Sequence, residues 1–310
     1  MLKKLFKIID NPNIVALKIL YLISFLLEDK IYLWLFCWFN SRMILNFKNP
    51  KTFNDKLNWL KINDRKKLYT KLADKIASKK FVLEIIGEEY VASTYGVWES
   101  VESIDWQSLP KQFVIKANHD SSGAVIVRDK HTFDIHRLDK YKKILKRNYY
   151  YSLREWPYKN IKPLLFVEEL LDDGTQLEDK EITLQDYKFW CFNGEPKYMY
   201  ITVKDKEIYE NFYDMEFKPV NINHGFPKKD LKTLKPKEFE KMAELAGKLS
   251  KASQTAFVRV DFFYVKEKIY FSEFTFYDWG GVRPFESYEQ DLELGNLINL
   301  DCLKKENNNQ

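Results

Sequence analysis

Apolar residues crowd Ile14–Leu27 and Ile31–Phe39, and beyond them come in short runs separated by charged and turn-forming residues. The first two runs predict helices, interrupted by Lys18 and by Glu28-Asp29-Lys30. The longest uncharged stretch, Ile31–Ser41, has eleven residues, and a spanning helix needs about 20. Neither run crosses a bilayer by itself. Two readings stand: a core-packed helical hairpin, or an interfacial anchor. In the second, Tyr21, Tyr32, Trp34, Trp38 and the basic Met1–Lys7 segment sit at headgroup level.

After the break at Asn49-Pro50-Lys51, Thr52 can cap a helix from Asn54 to about Asn63. Asp64–Ile86 reads as one helix with Gly87 at its C-terminal end. Strands are predicted around Val91–Tyr95, over Gln112–Ala117, over Ala124–Arg128 and over Leu164–Leu170. Asp134–Asn148 reads as a basic helix. Asp186–Phe192 and Pro196–Val203 form a hairpin around Asn193-Gly194, a strong turn signal. Another strand covers Ile208–Phe217, and Pro236–Ala252 has helical apolar spacing. A last hairpin, with strand-like runs Phe257–Asp261 and Ile269–Phe276, turns at Lys266-Glu267-Lys268 and ends at Gly280-Gly281. Helices first, then mixed strands and helices with several hairpins, predict an α+β fold with antiparallel sheets.

The 310 residues suffice for two or three lobes, and 23 Phe, 19 Tyr and 8 Trp predict an aromatic core. A net charge of +5, spread along the chain, gives no basis for nucleic-acid binding. Cys37, Cys191 and Cys302 are far apart and form no CxxC pair, so a disulfide framework and structural zinc are not expected and a reducing cytoplasm fits.

The last hairpin carries the candidate chemistry. Strand alternation puts Arg259 with Asp261 on one face, and Glu273 with Thr275 on one face. Two carboxylates and an arginine on a rigid support can hold Mg²⁺ against a polyphosphate; a hairpin with a charged wet side is the plainer alternative. Lys116 ends a strand before the small polar loop Asn118–Gly123, whose backbone N–H groups could face phosphate oxygens. An ordinary hairpin loop beside a surface lysine is again the alternative. Glu168 and Glu169 close a strand whose end could read an adenine edge or simply be solvated. No Walker A, GxSxG, HExxH or DxD pattern occurs.

Together these blocks resemble the ATP-grasp superfamily, and within it the TupA-like branch named from teichuronopeptide synthesis. The resemblance covers about residues 47 to 290. It rests on Asn49–Leu57, Ala73-Asp74-Lys75, Phe113–Lys116 with its loop, Phe166–Glu169, Asp186–Phe189, and Arg259-Val260-Asp261 to Phe271–Phe276. It implies ATP and one or two Mg²⁺ ions. Lys75 and Lys116 would touch phosphates from two lobes, and Ser121, Ser122 and Gly123 would belong to the closing loop. Glu168, Glu169 and the adjacent backbone would hold adenine, and Asp172 or Asp173 ribose. Asp261 and Glu273 would carry metal, Arg259 would stabilise acyl-phosphate charge, and Lys188 is a further candidate near the phosphates. Thr275 stands where an Asn donor is expected, and Ser272 where a Gly is common.

The implied activity is a carboxylate–amine ligase acting through an acylphosphate. By analogy its acceptor is a uronic acid of a bacterial surface glycan and its amine an amino acid or amino sugar. The expected division is an apolar helical segment 1–46, an N-terminal lobe 47–110, a small ATP-grasp lobe 111–170, a C-terminal lobe 171–300 and a polar tail 301–310. The expected location is cytoplasmic, with the inner face of the membrane reached if residues 1–46 act as an anchor. A sugar-nucleotide-dependent glycosyltransferase and a non-catalytic membrane-surface adaptor are the competing classes.

Overall fold

The computed structural model describes residues 12–121, 123–172, 184–204, 207–227, 235–301 and 303. Ser122, Asp173 and Cys302 lie outside them.

Two antiparallel sheets make the frame. The smaller has the order β1-β4-β2-β3, built from β1 (Thr94–Trp98), β2 (Phe113–Ala117), β3 (Val125–Val127) and β4 (Leu165–Glu168). The larger has the order β10-β9-β5-β6-β7-β8. Its strands are β5 (Asp186–Phe192), β6 (Glu195–Lys204), β7 (Ile208–Asp214), β8 (Pro219–Val220), β9 (Phe257–Val265) and β10 (Lys268–Thr275). Every pairing is antiparallel. The α+β plan with antiparallel sheets expected from the sequence is what forms. The small sheet reaches back past residue 110, because β1 covers the edge of β4.

The helices among the described residues are α1 (Pro12–Leu22), α2 (Asp29–Ser41), α3 (Phe53–Asn63), α4 (Lys67–Ala73), α5 (Ala77–Ile86), α6 (Asp139–Ile144), α7 (Tyr150–Leu153), α8 (Phe239–Ser253) and α9 (Tyr288–Asn296). The Thr52 hydroxyl accepts from the Asp55 N–H at 3.1 Å and starts α3 as predicted. The single helix expected over 64–86 is two. Asp74 accepts from the N–H groups of Ile76 and Ala77, capping α5 and ending α4. The break leaves Lys75 at the joint, its N–H bonded to the Asn118 carbonyl. The helix expected over 134–148 is shorter and begins as a 3-10 turn (Ile135–Leu138) that runs into α6, with α7 lying beyond the expected span.

One face of the large sheet is covered by α8 through Phe239, Met242, Leu245, Ala246 and Leu249. The other face is divided. Toward α3 it is aromatic, with Phe53 at 5.1 Å from Trp190 and 4.9 Å from Phe257, ring centre to ring centre. Toward the small sheet it is charged. The two halves meet at Arg259, whose register partners are Trp190 on β5 and Thr275 on β10. The small sheet has its own core, where Leu138, Tyr141 and Ile144 pack on Phe113, Ile115 and Val167. A third cluster, Leu33, Cys37, Leu45 and Val282, fastens α2 to the body. α1 differs: of its eleven residues only Leu20 is buried. The core-packed hairpin reading therefore holds for α2 and fails for α1.

Candidate active site

Alternation places Lys188, Asp261 and Glu273 in one row across β5, β9 and β10, since Lys188 pairs with Asp261 and Asp261 with Glu273. The row depends on a bulge between Phe271 and Glu273. Ile269 and Phe271 point into the core, and unbroken alternation would send Glu273 after them. The extra residue, Ser272, is absorbed by the bulge, so Phe274 returns to the core and Glu273 turns to the cleft.

Across from this row stands the small sheet. Lys75, Lys116, Ala117, Asp120, Ser121, Gly123 and Ala124 from one side, with Ser272 and Glu273 from the other, line a cavity of about 180 Å³. That is below the roughly 300–1,000 Å³ of most small-molecule sites, and side chains span it. Lys75 Nζ lies 3.0 Å from Glu273 and donates to the Asp120 carbonyl at 3.2 Å, linking the lobes. Lys116 pairs with Glu168, which also takes Lys79 at 2.6 Å. Lys188 pairs with Asp186 at 2.8 Å. A wider depression of about 590 Å³ lies at Gly194 and Lys251, beside α8. Its charged residues are surface glutamates and lysines whose ion pairs, such as Lys248 with Glu244 and Lys235 with Glu240, are made with near neighbours in sequence, so it has no comparable convergence.

Arg259 is the hub behind the cleft. It donates twice to Asp261, at 2.7 and 2.6 Å, once to Asp278 at 2.6 Å and once to the Tyr200 hydroxyl at 2.9 Å. Glu273 is 3.6 Å away. Tyr200 also donates to Asp278 at 2.8 Å. Burial opposes the Arg259 charge, but Asp261, Tyr200 and Asp278 outweigh it and raise its pKa well above the ordinary value. Burial likewise lifts Asp261, against the pull of Arg259 and Lys188; the two-point bond keeps this pair ionised. Burial alone would raise Glu273, yet Lys75 and Arg259 dominate and hold it down at about 2. Glu168 is lowered in the same way, burial being outweighed by Lys116 and Lys79.

The other sequence candidates are placed as follows. Ser121 exchanges a hydrogen bond with the Tyr149 hydroxyl at 2.9 Å. Gly123 has φ +79° in open space, and its carbonyl accepts from Tyr141. The Glu169 N–H donates to the Ser93 carbonyl, so that backbone donor is engaged. Asp172 lies 3.6 Å from Arg128. Glu168 faces two lysines. Thr275 is two register positions from the carboxylate pair, opposite Arg259.

Among the described residues no three His, Cys, Asp or Glu side chains group as a metal cage. The donors that converge are the neighbouring carboxylates of Asp261 and Glu273. Mg²⁺ is commonly held by one or two carboxylates with substrate phosphates and water, so this pair fits one such ion. Both oxygens of Asp261 are bonded to Arg259, and a cation there must share that carboxylate.

Lys79, Tyr200 and Asp278 were not singled out from sequence. Lys79 stands four residues after Lys75, a spacing that places a second lysine one turn on. Asp278 sits just before Gly280-Gly281, in a turn where Trp279 (φ +46°) and Gly280 (φ +62°) are left-handed. Tyr200 is one aromatic among many in alternating strands, with no local signal.

A two-lobed clamp of antiparallel sheets, with lysines on one side and a carboxylate–arginine row on the other, defines the ATP-grasp class. The profile of the TupA-like ATP-grasp family matches residues 55–299, and the chain belongs to that family. No curated protein matches it. Among solved structures it is similar to the D-alanine–D-alanine ligase of Bacillus anthracis complexed with ATP, with 14% identity and a TM-score of 0.41 over 76% of this chain and 66% of that one. It is similar to the D-alanyl-alanine synthetase A of Vibrio cholerae, with 17% identity and a TM-score of 0.40 over 77% and 66%. It is also similar to the ATP-grasp ligase PsnB with phosphomimetic precursor, Mg and ADP, with 11% identity and a TM-score of 0.39 over 76% and 59%. The chain thus spans less than two thirds of the length of these three structures.

Proposed function

We propose that the protein is an ATP- and Mg²⁺-dependent carboxylate–amine ligase. The observation that carries this is the pairing of Lys75 with Glu273 across the cavity, with Asp261 beside Glu273 in register. Each cleft cation rests on a carboxylate that an incoming nucleotide can replace. Lys75 and Lys116 would exchange Glu273 and Glu168 for phosphate oxygens. Glu273, released from Lys75, would join Asp261 on the metal. A bound Mg²⁺ would neutralise developing phosphate charge. Arg259 is also bonded to Asp278 and would keep that partner if Asp261 held the metal. Lys188 adds positive charge beside the row.

In the proposed reaction an acceptor carboxylate oxygen attacks the γ-phosphorus of ATP, and the bond to the ADP oxygen breaks. An amine then attacks the acyl carbon, phosphate leaves and the amine gives up a proton. The site supplies clamping and charge neutralisation rather than a nucleophile. The family resemblance supports a uronic acid of a surface polysaccharide as acceptor, with an amino acid or amino sugar as amine, on the cytoplasmic side where ATP is available. Nothing in the family match or the cleft favours the glycosyltransferase alternative. The test is ADP release by the purified protein with a panel of uronic acids and amines. Release that requires both partners supports the reading, and absence of ATP binding refutes it.

A further inference from the structure

The segment from α1 through Ile44, just past α2, carries eleven of the large hydrophobic side chains left open to solvent. Leu22, Phe25 and Leu26 are 71%, 69% and 71% exposed. Within α1, Ile14, Val15, Lys18, Ile19 and Leu22 fall on one helical face, and all are exposed. A helix apolar on nearly all sides belongs in a core or a lipid phase, and this one buries only Leu20. No helix among the described residues is long and apolar enough to cross a membrane.

The charges around this surface are one-sided. Between residues 12 and 48 the exposed charged residues are Lys18, Lys30, Arg42 and Lys48 against Glu28. The other acid, Asp29, turns inward to Arg65 at 2.7 Å and Arg154 at 2.9 Å. Trp34 and Trp38 stack at 6.1 Å, with Arg42 over Trp38 at 5.2 Å. Apolar cover rimmed by basic and indole groups matches an anionic headgroup layer.

We infer that α1, the turn Ser24–Leu26 and the outer side of α2 form a platform that lies in the interface of an anionic phospholipid bilayer without spanning it. Its inner side is rigidly tied to the body. Tyr32 donates to the Ser152 carbonyl at 2.8 Å, Tyr150 donates to Asp29 at 2.6 Å, and Arg154 bonds the Ser24 carbonyl. The α7 segment that receives these ties continues to Leu153, which packs against Gly280 beside the Arg259–Asp278 hub. The platform would therefore hold the cleft near the membrane surface, and, resting on the ligase reading, would offer it a membrane-borne acceptor.

The test is flotation of the full-length protein with phosphatidylcholine vesicles and with vesicles containing phosphatidylglycerol. The wild type should float with the anionic vesicles, less so at high salt. The triple variant Leu22→Ser/Phe25→Ser/Leu26→Ser should float at least tenfold less while keeping its melting temperature and ATP affinity. Its changes are all at exposed side chains, so the fold should persist; Lys18→Glu/Lys30→Glu gives an independent arm that should also reduce flotation. A wild type that stays in solution overturns the inference, as does a triple variant that floats equally. Dimerisation of the wild type through these residues, lost in the triple variant and with no vesicle binding, would assign the surface to a second copy instead. Flotation reads no catalysis, so it fails or succeeds separately from the ligase assignment.

Discussion

Replacing Asp278 with Asn keeps the shape of the Arg259 hub and removes one of its charges. Asp278 is buried and accepts from Arg259 at 2.6 Å and from Tyr200 at 2.8 Å. Breaking a buried ion pair costs about 3–5 kcal/mol. The asparagine oxygen still accepts and Asp261 still compensates Arg259, so the lower end applies, about 3 kcal/mol. With a urea slope of about 3 kcal/mol/M, the unfolding midpoint should fall by about 1 M. A second effect separates positioning from mere stability. Without the Asp278 charge, Arg259 leans more heavily on Asp261, its remaining two-point ionic partner, and Mg²⁺ must compete harder for that carboxylate. The Mg²⁺ concentration for half-maximal ATP turnover should rise about tenfold, equivalent to about 1.4 kcal/mol. Urea melts and Mg²⁺ titrations on one preparation measure both. A midpoint shift below about 0.3 M, or about 1 kcal/mol, with unchanged Mg²⁺ dependence would refute the hub.

Lys75→Met removes the 3.0 Å link to Glu273; ATP affinity by calorimetry should fall roughly 30-fold, about 2 kcal/mol, with the circular dichroism unchanged. Glu168→Gln tests the acid limb of stability. The folded Glu168 pKa lies below its usual 4.5, so the carboxylate contributes stability above that pH and loses it as the pH falls toward the folded value. The variant should be less stable at pH 7, and its stability should decline less steeply below pH about 4.5. Equal slopes in urea melts at pH 3 to 7 would contradict this. Gly194→Ala forces a side chain onto φ +91° with its Cβ 3.4 Å from the Lys251 Cα, and should lower stability by about 1 kcal/mol in the same melts.

How much of this was legible in the chain differs from element to element. The Asn193-Gly194 turn needs two left-handed residues, and they occur there at φ +51° and +91°. Thr52 capped the helix it was expected to cap, because a hydroxyl before an amide-rich first turn has little else to bond. The carboxylate row followed from alternation, but its registration did not. Phe271 and Phe274 are three apart, and that spacing is the trace of the bulge that turns Glu273 outward. The division of 64–86 came from the Asp74 side chain capping from within an otherwise helical pattern. The hub was unreadable because Tyr200, two strands away in the sheet, and Asp278, in the turn after β10, reach Arg259 through side-chain bonds that no local pattern announces. The exposure of α1 was open for a different reason: apolar pattern alone does not distinguish a face against protein from one against lipid.

The central claim is that the cleft between the two sheets clamps Mg·ATP through Lys116 on one side and the Asp261–Glu273 pair on the other. Calorimetric titration of Mg·ATP into the wild type, Lys116→Met and Glu273→Gln tests it directly. The account predicts saturable binding by the wild type and at least tenfold weaker binding by each variant, with the Glu273→Gln loss present only when Mg²⁺ is supplied. Equal affinity in all three proteins would contradict it.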